Sequence, residues 1–332
     1  MDISLSLPAS VGVFLLSAVV VVAAAIMLAK SGDVIASRTK WGRLWVGALL
    51  VAGATSLPEL VTNVVAVRIG APSLAAGNIF GANMLNMSNL ALVVALVGGR
   101  KVFQQIRPQQ ALLLGLALVL TALATVFAAL QLDVKWLIVS PATLVLLAVY
   151  VAGTRIIYKR SVGQQGTEAV GEAGHSLAWG WGIFLLAATF IFMSAPFLAV
   201  SADRIAELAG VSESFVGVLA VAIVTTLPEL TTTITAMRIG AYDLAISGLY
   251  GSNAFNVAAL GIADLFHPSG SLFGSLDVSH VVAGLFAVLL MGLGIIQVIR
   301  RKRVTHFSLT QPSTVVVVGL YLIGLFLVFR LS

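Results

Sequence analysis

The chain has 332 residues, 59% of them hydrophobic and 10% charged, with a mean hydropathy of +1.06; an average soluble domain carries about one quarter charged residues, so this composition reads as an integral membrane protein. The absence of cysteine excludes disulfides, thiolate metal centres and cysteine nucleophiles, and none of the four histidines forms a paired ligand motif. The net charge of +6 sits in short stretches between apolar runs, which points to membrane topology and not to nucleic acid.

Crossing a hydrocarbon core takes about 20 mostly apolar residues. In chain order the sequence predicts about ten spans, near 8–29, 45–67, 74–98, 109–131, 135–157, 178–200, 215–237, 244–266, 278–298 and 313–331. The first follows Met1-Asp2 with no base before it and no convincing cleavage site after it, so it is expected to be a retained helix. About 15 of the 19 bases fall on one side of the alternating connections, from Lys30 and Arg38 through Arg100 and Arg155 to the run 300–303. That side is expected to be cytoplasmic, with both termini outside the plasma (inner) membrane. The lipid bilayer is the implied surrounding, and no obligate protein partner is implied.

The longest polar stretch, 158–177, separates a first half (1–157) from a second (178–332), each with five spans. An odd number of spans per half makes the second half enter the membrane in the opposite sense. At an offset of 170 residues, 46–86 aligns with 216–256 without a gap, and about 21 of the 41 positions are identical. The expected fold is therefore an all-α membrane protein of about ten transmembrane helices arranged as two inverted five-helix repeats, the architecture on which alternating access rests in secondary transporters.

The chemistry concentrates in TSLPEL (55–60) and TTLPEL (225–230), each inside an apolar span. Proline has no N–H and pushes away the carbonyl four residues earlier, which frees oxygens near Ala54 and Val224; such groups persist in lipid only where protein or a water-filled cavity meets them. Beside the prolines stand Glu59 and Glu229, and an acid at the bilayer centre costs about 2.5 to 3.5 kcal/mol or more, so it usually faces a pathway. Thr55, Ser56, Thr225 and Thr226 add hydroxyls. The following spans carry GNIFGANMLN (77–86) and SGLYGSNAFN (247–256), whose GxxxG and SxxxG spacings allow close backbone approach and whose Asn83, Asn86, Asn253 and Asn256 supply amide oxygens. A set of oxygens without nitrogen or sulfur suits a hard cation, Ca²⁺ in particular.

These motifs resemble the two alpha repeats of the Na⁺/Ca²⁺ exchanger (calcium/cation antiporter) superfamily, and the chain looks like a prokaryotic member. The resemblance implies that Ca²⁺ and Na⁺ are transported ions, with no cofactor and no enzymatic activity. It makes Glu59 and Glu229 the central cation ligands, with Asn86 and Asn256 beside them. Thr55 and Thr225, and backbone carbonyls near Ala52 and Ala222, would complete flanking Na⁺ sites. Three departures stand out. The family's glycine before threonine is Ala54 or Val224 here; its serine in G-S-N is Ala82 in one repeat and Ser252 in the other; and Ser247-Gly248 replaces Gly-Asn. They leave H⁺ as the alternative coupling ion, because one of two facing carboxylates can trade a proton for a cation.

Other residues are read more plainly. Pro141 and Pro196 are expected as simple kinks, Asp33 and Asp203 as surface or capping groups, Asp264 and the histidines as loop residues, and Arg68 and Arg238 as interfacial anchors. Interhelical hydrogen bonding explains Asn83 and Asn253 as well as ligation does. A channel would need a continuous pore with a filter signature, and a scaffold has no use for two buried acids, so the antiporter is the preferred reading.

Overall fold

A computed structural model describes residues 6–39, 41–68, 70–97, 102, 108–161, 175–208, 222–300 and 312–331. Most of the expected 158–177 connection, the bases 301–303 and His306 lie outside them. The first half contains α1 (Leu7–Arg38), α2 (Gly42–Trp45), a π-helical turn over Val46–Val51, α3 (Ala52–Thr55), α4 (Leu57–Arg68), α5 (Pro72–Val97), α6 (Pro108–Ala129) and α7 (Pro141–Ser161). The second contains α8 (Leu177–Leu208), α9 (Ala222–Thr225), α10 (Leu227–Arg238), α11 (Tyr242–Asp264), α12 (Val278–Arg300) and α13 (Pro312–Leu331).

Among the described residues, seven helices are long and apolar enough to cross a membrane, and the bent series from Gly42 to Arg68 makes an eighth span. Helices α10 and α11 are more polar, and the bundle accommodates them by enclosure: nearly every residue of α11 from Leu244 to Asp264 is buried. It packs against the π-helical turn and α3 to α7 of the first half, and against α10. The long helices α1 and α8 lie side by side at the periphery, where exposed Leu15, Leu16, Val19, Phe192 and Met193 present an apolar surface suited to lipid.

The expected second span is broken as the proline predicts. Helix α3 ends at Ser56 (φ −91°, ψ 7°), and α4 leaves it at 41°. The second half repeats the break at Thr226 (φ −84°, ψ 0°), with Pro228 in the first turn of α10. The sequence gives no sign of the π-helical turn, a feature often found at functional sites. Its backbone presses on α11: a Cβ at Gly47 would lie 2.7 Å from the Leu244 carbonyl oxygen, and one at Gly251 would lie 2.8 Å from Ala48 Cα. The SxxxG spacing of Ser247 and Gly251 therefore does what its small residues allow, seating one helix on another's backbone.

Several expectations need correction. Helix α1 continues nine residues past the predicted limit of 29, to Arg38. Its hydroxyls fold back onto the helix, Ser31 donating to the Met27 carbonyl at 2.8 Å. Asp33 is not a cap: it lies inside α1 and pairs with Arg43 Nε at 2.6 Å, which anchors α2. The fifth span begins at Pro141, not 135, because residues 136–139 form a tight turn with Leu137 at φ 59°. Pro141 is no kink either, since the first turn of a helix has no N–H bond for it to break. Pro196 does lie inside α8, and Arg68 and Arg238 are exposed at the ends of α4 and α10, as anchors would be.

Asp264 is the largest correction. It ends α11 and is fully buried, with donors on every side: Ser140 Oγ at 2.5 Å and Thr143 Oγ1 at 2.6 Å reach Oδ2, while Ser271 Oγ at 3.0 Å and the Leu272 N–H at 2.6 Å reach Oδ1. Four donors make burial of a carboxyl tolerable. Lys135 Nζ adds bonds to the Asp264 and His267 carbonyls at 2.9 and 2.7 Å, so α7, α11 and the 265–277 connection are tied together at this end.

His280 is likewise no loop residue. It is buried in the first turn of α12, with Nε2 at 2.9 Å from the Ser73 carbonyl and Nδ1 at 2.9 Å from Asp277 Oδ1. Burial pushes the Asp277 carboxyl up, but hydrogen bonds from Ser279 and the adjoining His280 ring outweigh it and hold the group below the usual aspartate range. The residue 170 positions before His280 is Gln110, which donates to Asp243 at 2.9 Å, and Asp243 is in turn the repeat equivalent of Ser73. The two halves thus clasp the starts of α5 and α11 by equivalent residues of different chemistry.

Candidate cation site

Both helix breaks are buried, with Ser56 and Thr226 enclosed, and each puts its glutamate in the first turn after the break. Glu59 is 0% exposed and Glu229 1%. The prolines at 58 and 228 supply no N–H, so the carbonyls of Ala54 and Val224 lack that helical donor. The carbonyls of Ala52 and Ala222 are engaged instead. The Ser56 N–H at 3.0 Å and Thr55 Oγ1 at 3.2 Å reach Ala52 O, and the Thr226 N–H at 3.1 Å and Oγ1 at 2.8 Å reach Ala222 O.

The carboxylates are less engaged than the carbonyls. Ser56 Oγ donates to Glu229 Oε1 at 3.0 Å, but Glu229 Oε2 and both oxygens of Glu59 have no hydrogen-bond partner. Thr225 stands beside the Glu59 carboxyl, with Glu229 close enough to act on it electrostatically. Thr55 and Ser252 stand beside Glu229, their hydroxyl oxygens 3.3 Å apart.

The asparagines of α5 and α11 interlock across the two halves. Asn86 Nδ2 donates to Asn253 Oδ1 at 3.0 Å, Asn256 Nδ2 to Asn83 Oδ1 at 3.1 Å, and Asn83 Nδ2 to the Asn253 carbonyl at 3.2 Å and to Thr121 Oγ1 at 3.3 Å. Two of these bonds decide which oxygens stay free. With their nitrogens held by Asn253 and Asn83, the Oδ1 atoms of Asn86 and Asn256 are left buried and without a partner. Asn83 and Asn253 therefore act as the frame, and Asn86 and Asn256 offer the free oxygens.

The structure thus brings together Glu59, Glu229, Thr55, Thr225 and Ser252; Asn256 follows Ser252 by four residues on α11 and so shares its face, Asn86 is tied to Asn253 of the same helix, and all seven are at most 2% exposed. Ala52 and Ala222 lie at the breaks with their oxygens already bonded. Five buried oxygens, namely both of Glu59, Oε2 of Glu229 and Oδ1 of Asn86 and Asn256, accept nothing from the protein. An unpaired buried acceptor costs roughly 1 to 3 kcal/mol, and a cation coordinated by such oxygens would offset that cost. Among the described residues no three of His, Cys, Asp and Glu cluster together, and amide and hydroxyl oxygens accompany the two carboxylates in a donor set of the kind hard cations prefer.

Sequence reasoning missed Asn63, which is fully buried and accepts from Asn78 Nδ2 at 3.0 Å, while Asn78 Oδ1 accepts from Thr225 Oγ1 at 3.2 Å. The available signal was spacing, because Asn63 lies four residues after Glu59 and shares its helix face.

The model of the family described as sodium/calcium exchanger protein matches residues 9–159 and 179–331. The inner membrane protein YrbG of Escherichia coli (strain K12) is 27% identical over 236 residues, which cover 68% of this chain and 70% of that one. The sodium/calcium exchanger MaX1 of Methanosarcina acetivorans is 34% identical over 85 residues, 25% of this chain and 24% of its own. Among solved structures, the sodium-calcium exchanger NCX_Mj soaked with 2.5 mM Na⁺ and 10 mM Sr²⁺ superposes with a TM-score of 0.70 at 20% identity, covering 97% of this chain and 99% of that one. At that identity the likeness concerns the fold.

Proposed function

Because the chain belongs to the sodium/calcium exchanger family, we propose that it is a secondary antiporter that exchanges Ca²⁺ for Na⁺ at the Glu59–Glu229 cluster, with alternating access from the two sides of the membrane. The family is one of multi-pass membrane transporters and not of enzymes. The observation that carries the reading is the set of five buried oxygens without partners, two of whose side chains are acids. Two carboxylates match the charge of one Ca²⁺, and the same oxygens with the hydroxyls of Thr55, Thr225 and Ser252 can be shared among monovalent ions in its place. A common site that holds one cargo or the other, never neither while moving, is the basis of exchange.

Several features support the finer points of the proposal. The site is assembled from repeat equivalents of two halves, 1–157 and 178–332, as expected where one half rocks against the other. The excess of bases on one side supports cytoplasmic placement of the 158–177 connection and external termini.

A second reading has one observation in its favour. Ala82 leaves one flank without the hydroxyl that Ser252 supplies to the other, which weakens a Na⁺ position and favours H⁺ as the coupling ion. Ca²⁺ uptake into proteoliposomes under a Na⁺ gradient or a pH gradient, imposed separately, decides. Uptake driven by outwardly directed Na⁺ is expected; uptake that follows the pH gradient and ignores Na⁺ replaces Na⁺ coupling with H⁺ coupling.

A further inference from the structure

The two flanks of the site are built unequally. On one, Thr55 has the Ser252 hydroxyl 3.3 Å away. On the other, the equivalent of Ser252 is Ala82, which brings no oxygen, and Thr225 is left as the single hydroxyl. On that poorer flank a chain of amides stands behind the threonine: Thr225 Oγ1 donates to Asn78 Oδ1 at 3.2 Å, and Asn78 Nδ2 donates to Asn63 Oδ1 at 3.0 Å. Asn63 and Asn78 are fully buried. Their equivalents in the second half are Thr233 and Gly248, which offer no such chain and instead line a small cavity with Thr232, Ala236 and Val51.

A hydroxyl has one proton and lone pairs on the other side. When Thr225 donates to Asn78, as the 3.2 Å contact has it, it turns lone pairs toward the neighbouring Glu59 carboxyl, the other acceptor beside it, whose oxygens then receive no hydrogen bond. Two adjacent oxygens that both only accept are unfavourable company unless a cation lies between them. Thr55 has no amide behind it; its hydroxyl lies within reach of the Ala52 carbonyl at 3.2 Å and of Ser252. Partners behind a ligand fix its orientation and raise its affinity for the ion.

We propose that Asn78, held by Asn63, is a positioning residue that fixes the Thr225 hydroxyl as a cation ligand and so offsets the hydroxyl absent at Ala82. The proposal rests on the reading of the Glu59–Glu229 cluster as the transported-cation site. Asn78 touches no ion itself; it acts through Thr225.

The test is equilibrium binding of radiolabelled Ca²⁺ and Na⁺ to the purified full-length protein, comparing wild type, Thr225→Val, Asn78→Ala and the double variant. Thr225→Val and Asn78→Ala are each expected to weaken the same ion by about tenfold, the lower end of the range for such partners. The double variant weakens it no further than Thr225→Val, and the other ion stays within about twofold, which also reports an intact fold. If Asn78→Ala does not fold, Asn78→Ser supplies the same comparison. Effects that multiply in the double variant, or an Asn78 variant that weakens both ions equally, overturn the positioning role and leave the site standing. A wild-type protein that binds neither ion removes the site and this proposal with it.

Discussion

Ser56 and Glu229 lie 173 positions apart, and the Ser56 hydroxyl donates to Glu229 Oε1 at 3.0 Å. The break of one half thereby holds the acid of the other. The repeat equivalent, Thr226, turns back to the Ala222 carbonyl at 2.8 Å, so Glu59 keeps both oxygens bare while Glu229 keeps one. Glu59→Gln and Glu229→Gln each remove a charge at nearly constant shape, and each is expected to weaken Ca²⁺ by at least about tenfold, measured by Ca²⁺ binding and by exchange in proteoliposomes. Ser56→Ala removes only one donor to Glu229, so exchange persists. Normal exchange in either glutamine variant would remove the site assignment.

The unequal flanks carry a second expectation. Ala82→Ser restores a hydroxyl at a fully buried position, and Na⁺ should then compete with Ca²⁺ more strongly or with a higher Hill coefficient, while Ca²⁺ affinity in Na⁺-free buffer changes little. Ser252→Ala takes the partner away from Thr55 and weakens Na⁺ coupling. Ca²⁺ flux against Na⁺ concentration for the three proteins measures both effects, and equal Na⁺ dependence in all three would count against flanking Na⁺ positions.

Orientation is open to a direct assay because the chain has no cysteine. With Ser161→Cys and Ser332→Cys made singly, an impermeant thiol reagent applied to intact cells is expected to label position 332 and spare 161, since the bases gather on the cytoplasmic side. The reverse pattern would invert the assigned topology.

Two glycines of α11 have opposite expectations although they are three residues apart. At Gly251 an added Cβ meets the Ala48 backbone, 2.8 Å from Cα, whereas at Gly248 it meets nothing nearer than Val51 Cγ1 at 3.7 Å. Gly251→Ala should push α11 off the π-helical turn and cost roughly 1 to 3 kcal/mol, the usual range for overpacking. Gly248→Ala should be neutral or slightly stabilising, because alanine favours a helix over glycine by about 1 kcal/mol. Thermal unfolding in detergent compares them, and equal melting temperatures would show that the close approach is not maintained.

Asp264 predicts a stability effect away from the cation site. Asp264→Ala leaves Ser140, Thr143, Ser271 and the Leu272 N–H without their common acceptor, and a lost buried acceptor costs about 1 to 3 kcal/mol for each group left unpaired. A melting temperature lowered by several degrees is expected, with the Ca²⁺ affinity of the remaining folded protein unchanged. A normal melting temperature would show that water replaces the carboxyl freely.

The sequence by itself determined what depends on composition and on short-range order. The apolar runs fixed a membrane protein, the offset of 170 exposed the duplication, and the LPEL prolines announced two helix breaks with an acid beside each, because a missing N–H acts on the carbonyl four residues before it wherever the helix sits. What a side chain does when its partner is more than a hundred residues away was decided only by tertiary structure. The family resemblance already set Asn86 and Asn256 apart from Asn83 and Asn253, but the physical difference is tertiary: packing of α5 against α11 ties up the nitrogens of Asn86 and Asn256 and leaves their oxygens bare. Asp264 reads as a loop acid and is a buried junction, since Ser140 and Thr143 approach it from 121 residues or more away. The π-helical turn has no residue signature in Val46–Val51, as its backbone follows the surface of α11. Asn63 and Asn78 gain their meaning only where Thr225, from the other half of the chain, closes on them.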